Sequence, residues 1–248
     1  MQLRSIENTT GAPVLREVQP GALAPGYRVG LFLLFMAVSF VVFAVGHSAW
    51  IPYEWRLAAR AGLALVFVAT TIGLYRSERL RPFWPISLAY LAVSLGLLLA
   101  LILGRWLPDP DSLASSPMMA VTLGKLFDVA AVVLPMLLLP RLAGEDFAAL
   151  YLQRGRQGRS LLLGLLVSAA TFIPFVLLGG LASVRSVDRA VVVAALPWIA
   201  VFALANSFME ELWFRGLFLR KYQLFLGAAG ALWLTALSWS LFHLVVDY

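Results

Sequence analysis

The sequence contains no cysteine, so disulfides, thiolate nucleophiles and cysteine-ligated metals are excluded. Charge is scarce as well. Asp, Glu, Lys and Arg make up 13% of the 248 residues, where a soluble domain carries about 25%. Histidine occurs twice, at His47 and His243, which leaves few groups for acid–base work near neutral pH. No repeat or low-complexity tract stands out. No stretch interleaves basic and aromatic residues as a nucleic-acid groove would, so nucleic acid is not an expected partner. No cleavable secretory signal is expected either. The first apolar run begins only at Gly30, behind a polar segment that holds Glu7, Pro13 and Glu17.

What the sequence has in plenty is apolar side chains: 61% are hydrophobic and the mean hydropathy is +0.87. That excess is what a lipid-facing surface requires. The expected fold is all-α, a polytopic membrane helix bundle with the lipid bilayer as its partner. Residues 1–28 read as a flexible cytoplasmic tail and 29–248 as one membrane domain. Seven apolar runs lie near the ~20 residues needed to cross ~30 Å of hydrocarbon. They fall at 29–49, 57–75, 83–104, 117–140, 160–182, 190–222 and 228–247. The alternation of a transmembrane β-barrel is absent. The sixth run is too long for one crossing, and Pro197 is expected to start its main helix, with 190–196 as an entry segment.

The 19 basic residues are nearly all arginine, and they sit between the apolar runs. Thirteen fall on one side of the expected membrane, including Arg76, Arg79 and Arg81, and Arg154, Arg156 and Arg159. Five fall on the other side: Arg56, Arg60, Arg105, Arg185 and Arg189. The positive-inside rule then places the N-terminus in the cytoplasm. Trp50, Tyr53, Trp55, Phe83, Trp84 and Trp106 stand at span ends, where an aromatic belt belongs. Residues 144–159 fit either a short interfacial helix, with Phe147, Leu150 and Tyr151 on one side, or a plain basic loop.

Within this apolar chain stands Met209-Glu210-Glu211-Leu212-Trp213-Phe214-Arg215-Gly216. A carboxylate at membrane depth costs about 2.5–3.5 kcal/mol even on insertion scales, and intramembrane ionisable groups are functional by default. On a helix Glu211 and Arg215 are four apart and can pair. Glu210 points ~100° away and has no basic residue three or four positions along. One carboxylate is therefore neutralised locally, and the other is left to act as a general base on water. Its candidate partner is His243. Glu210 lies ~17 Å along its helix from Lys221, and His243 lies ~20 Å beyond Gly230 on the following span. If those spans are antiparallel, the two side chains share a depth, where they could polarise a water or bind a metal. Asn206 and Ser207, one turn earlier, either line the same cavity or bond across helices. Lys125 and Asp128, three apart in the fourth run, are expected to be a self-neutralising structural pair.

Glu-Glu-Leu-Trp-Phe-Arg-Gly resembles the glutamate pair, arginine and glycine of the CAAX-protease and bacteriocin-processing (CPBP, or Abi) intramembrane endopeptidases. Trp239 through His243 resembles that family's second motif, an aromatic residue four before a histidine, with Trp239 in place of the more usual phenylalanine. The resemblance covers Asn206 to Leu244. It implies a membrane-embedded endopeptidase in which Glu210 activates water, Glu211 and Arg215 support the site, and His243 holds the water or a metal. It thus leaves room for a divalent metal such as zinc on Glu210 and His243. The implied substrate is a peptide or protein with a membrane-associated end, and the implied location is a bacterial inner membrane.

The family's third motif, a histidine with asparagine or aspartate four residues on, has no counterpart here. His243 and Asp247 have the spacing, but His243 already serves the second motif. A complete site therefore calls for a further helix or a partner chain. The alternatives are a non-catalytic scaffold of the same fold, serving immunity or partner binding, and a transporter using Glu210 with Lys125 and Asp128 as a proton relay.

Overall fold

Prolines begin most of the helices. The computed structural model describes residues 24–47, 51–106, 110–152 and 189–245, with a few positions between 162 and 170. Helix α1 (Pro25–His47) and α2 (Tyr53–Arg76, behind Pro52) come first. A 3-10 turn at Arg81–Phe83 leads into α3 (Trp84–Leu103), which has Pro85 in its first turn. The short α4 (Pro110–Leu113) precedes α5 (Pro117–Leu142). Proline suits the first turn because its missing N–H has no intrahelical partner there anyway. At α5 the Ser116 side chain completes the cap by accepting from the Met119 N–H at 3.3 Å. Helix α6 (Arg189–Glu210) then runs without interruption into a π-helical stretch, Glu211–Leu219, followed by α7 (Arg220–Val245). No strand occurs among the described residues.

The chain is a polytopic helical membrane protein. Five helical runs among the described residues are long and apolar enough to cross a bilayer. The last, Ala190–His243, has 54 residues. Straight, it would measure ~81 Å, far beyond the ~30 Å of hydrocarbon. It does not stay straight. Gly227 has φ 73° and ψ 174°, a region that only glycine occupies readily, and the chain reverses there. The two legs lie side by side, so the sequence boundary between 222 and 228 corresponds to a real break. The expected span at 160–182 lies almost wholly outside the described residues.

α3 is apolar on all sides and is the most buried element, as a central helix should be. It packs between α2 and α5, α6 lies on α5, and α1 lies on α7. Where α1, α3 and α7 meet, three buried hydroxyls close a network. Tyr90 OH donates to the Phe35 carbonyl at 3.0 Å. Its oxygen then accepts from Ser39 at 2.9 Å and from Tyr222 at 2.7 Å. A polar group in an apolar interior must find its partner within the protein, and this trio does so across three helices.

One expectation needs correction, and two are filled in. Pro197 does not start a helix. It lies inside α6, eight residues after Arg189, as membrane helices tolerate when neighbouring groups satisfy the freed carbonyl. In the segment 144–159, open between an interfacial helix and a loop, the described part 144–152 forms a single 3-10 turn, Phe147–Leu150. Asp146 caps it by accepting from the Ala149 N–H at 2.8 Å, and Tyr151 ends it in the left-handed conformation, φ 58°. Leu150 is buried, whereas Phe147 and Tyr151 are exposed. Lys125 and Asp128 do interact, as expected, and each has a further neighbour. Lys125 Nζ sits over the Phe202 ring at 5.5 Å, and Asp128 also feels Arg60 from α2.

Candidate active site

The site forms where α6 gives way to the π-helical stretch. Six of the nine residues there are buried: Leu212, Trp213, Phe214, Gly216, Leu217 and Phe218. A wider π turn brings consecutive bulky side chains inward together, and such turns recur at functional sites. Trp213 and Phe214 both pack on Phe43 of α1, at 5.3 and 5.5 Å between ring centres. Phe242 of α7 packs on Phe43 as well, at 4.8 Å. This aromatic cluster ties α1, the π stretch and the last leg together. Phe242 immediately precedes His243, so the packing sets the height of the imidazole against Glu210.

Gly216 makes a second contact feasible. A Cβ there would stand 3.0 Å from the Leu150 carbonyl oxygen. The 3-10 turn can therefore press directly onto the π stretch. Leu150, Tyr151 and Leu152 together with Phe208, Glu211 and Arg215 border an open groove of about 400 Å³.

Glu210 and His243 come together as their depths suggested. His243 Nε2 lies 4.0 Å from Glu210 Oε1, with the side chains 28% and 18% exposed. The carboxylate is held at both oxygens by neutral donors. Asn206 Nδ2 donates to Oε1 at 2.7 Å, and Trp239 Nε1 donates to Oε2 at 3.0 Å. Asn206, open between two roles in the sequence, thus bonds within its own helix, one turn before Glu210. Trp239 was legible only as an aromatic residue of the second motif, and its donor role was missed. An indole N–H four residues before a histidine was the available signal.

His243 Nδ1 lies 2.9 Å from the Trp239 carbonyl oxygen. A carbonyl can only accept, so Nδ1 carries a proton, and Nε2 is the ring nitrogen on the Glu210 side. Glu211 pairs with Arg215 one turn on, as expected. The pair is not buried, however: its side chains are 58% and 62% exposed. The His47 and Asp247 side chains lie outside the described residues.

These donors do not suffice for a divalent metal. A catalytic zinc takes three protein ligands. Among the described residues no group of three or more His, Asp or Glu side chains is placed to hold a metal. Glu210 and His243 alone do not make up such a set.

These features define a helical membrane protein with a carboxylate–imidazole pair at the junction of its last two long legs. Residues 192–248 match the family model described as "Type II CAAX prenyl endopeptidase Rce1-like". The match covers the last 57 residues, the part that carries Glu210, Glu211, Arg215 and His243, and shows a likeness of that part to the CAAX proteases. No curated protein and no solved structure matches the chain.

Proposed function

We propose that this chain is an intramembrane endopeptidase that hydrolyses a peptide bond with water activated by Glu210. The observation that carries the proposal is the 4.0 Å separation of Glu210 Oε1 and His243 Nε2, which with a neutral imidazole are two acceptors facing one another. A water ~2.8 Å from each fits between them and satisfies both. It donates one hydrogen to Oε1 and the other to Nε2, which leaves an oxygen lone pair for attack on a carbonyl. As the C–O bond forms, the water proton passes to Glu210. The same proton then goes to the departing amine as the C–N bond breaks. The developing oxyanion calls for a donor of its own, which the family's third motif would supply from a further helix or a partner chain.

The substrate is a peptide or protein with a membrane-associated end, because the pair lies in a leg that crosses the bilayer. The name of the matched family model adds a prenylated end as one such substrate class. The location proposed is a bacterial inner membrane, as the family resemblance suggests, with the N-terminus in the cytoplasm on the strength of the arginine distribution.

The test is cleavage of a quenched fluorogenic peptide with a lipid-modified end by the purified protein in liposomes. Glu210→Ala and His243→Ala should each reduce the rate to background while leaving helicity and melting temperature close to those of the parent. Cleavage that survives Glu210→Ala refutes the proposal. The water-only mechanism further expects cleavage to persist after chelator dialysis, and loss that added zinc restores would replace it with a metal mechanism.

A further inference from the structure

We infer that the Trp239 indole N–H is a positioning donor of this site, fixing the carboxylate of Glu210 so that Oε1 faces His243. The inference goes beyond the endopeptidase reading, on which only its activity test rests. Trp239 touches both members of the pair. Its Nε1–H donates to Glu210 Oε2 at 3.0 Å, its main-chain oxygen accepts from His243 Nδ1 at 2.9 Å, and its ring lies 4.1 Å from the imidazole. The carbonyl bond belongs to the helix backbone and would survive any ordinary substitution. The indole bond belongs to tryptophan alone. Phenylalanine, the aromatic residue with which the motif is otherwise met, keeps the ring contact and offers no donor.

The geometry explains why a donor is needed. The Glu210 carboxylate can rotate about its last bond, a broad and soft torsion. With Asn206 alone on Oε1, either oxygen could swing toward the imidazole. A second donor on the other oxygen, from a different helix leg, stops that rotation. It also ties α6 to α7 at the height of the chemistry, because Trp239 is 29 residues from Glu210 in the chain. The two donors are neutral, so they orient the carboxylate without cancelling its charge.

Two substitutions isolate the N–H. Trp239→Phe removes it while keeping an aromatic ring. Replacement of Trp239 by its benzothienyl isostere, introduced as a non-natural amino acid, removes it while keeping the indole shape. Both should lower kcat about tenfold or more, with KM within about twofold and the melting temperature unchanged. Rates within twofold of the parent for the isostere would overturn the inference.

A second measurement stands apart from activity. In 15N-indole spectra of the intact protein in detergent, the N–H resonance that Trp239→Phe removes should shift in both Glu210→Ala and Glu210→Gln. A resonance that stays in place in both variants also overturns the inference. Should the parent protein cleave no peptide, the endopeptidase reading falls, and the indole spectrum alone decides whether Trp239 holds Glu210.

Discussion

Glu210 and Glu211 are adjacent in the chain, yet their carboxylates answer to different parts of the molecule. Glu210 is bonded by Asn206 and by Trp239 of the following leg. Glu211 pairs with Arg215 one turn onward and borders the groove beside Leu150 and Leu152. Successive residues on a helix point ~100° apart, and here that rotation separates an orienting environment from a charge-neutralising one.

The Glu211–Arg215 pair should behave as one unit. Its side chains are more than half exposed, so each single alanine substitution is expected to cost only about 0.2–1 kcal/mol. The double substitution should cost little more than either single one, because the second partner has nothing left to lose. Thermal melts of the three variants check this. Strictly additive losses would show that the two side chains do not depend on each other.

Lys221 and Glu145 form the opposite kind of pair. Nζ lies 2.8 Å from Oε2, and the side chains are only 8% and 14% exposed. Removal of one partner strands a buried charge, so Glu145→Ala and Lys221→Ala should each destabilise by about 3–5 kcal/mol. Joint replacement, Glu145→Leu with Lys221→Met, should recover most of that loss. Urea or thermal unfolding in detergent measures both, and a double variant worse than either single one would contradict the assignment.

Gly227→Ala should weaken the protein without any steric clash, since open space surrounds the position. The cost is conformational, about 1–3 kcal/mol for φ 73° and ψ 174° in a residue with a Cβ. Because the reversal there sets Trp239 and His243 against Glu210, cleavage should fall together with stability. Retention of full stability and activity would mean that the chain can reverse without a glycine at this point.

The absence of cysteine permits a clean topology measurement. Single cysteines at Ser77 and at Asp111 should be labelled by a membrane-impermeant maleimide from opposite sides. Position 77, in the arginine-rich loop, should react only from the cytoplasm. Labelling of both from the same side would contradict the orientation drawn from the arginines.

Much of this molecule was readable because lipid restricts the choices. Bilayer thickness sets run length, so the first four spans fell within a few residues of α1, α2, α3 and α5. The Glu211–Arg215 pair followed from helical spacing, and the meeting of Glu210 with His243 followed from counting residues to a shared surface. What stayed hidden depended on contacts between distant segments. The Lys221–Glu145 pair joins positions 76 residues apart, and Tyr222 reaches Tyr90 across 132. Trp239 looked like a bulkier phenylalanine because nothing in a sequence says which way an indole N–H points. The π winding at Glu211–Leu219 was invisible too, because helical spacing alone does not distinguish a π turn from an α turn.

That winding carries a mechanical consequence. Each residue taken up or released between Glu211 and Leu219 would turn everything downstream by about 100° and move it ~1.5 Å. Downstream lie Gly227 and the leg that bears Trp239 and His243. The stretch thus stands, like a gear, directly between the carboxylate and the leg that faces it. A small change in its pitch would disengage imidazole and indole from Glu210 while every helix stayed wound.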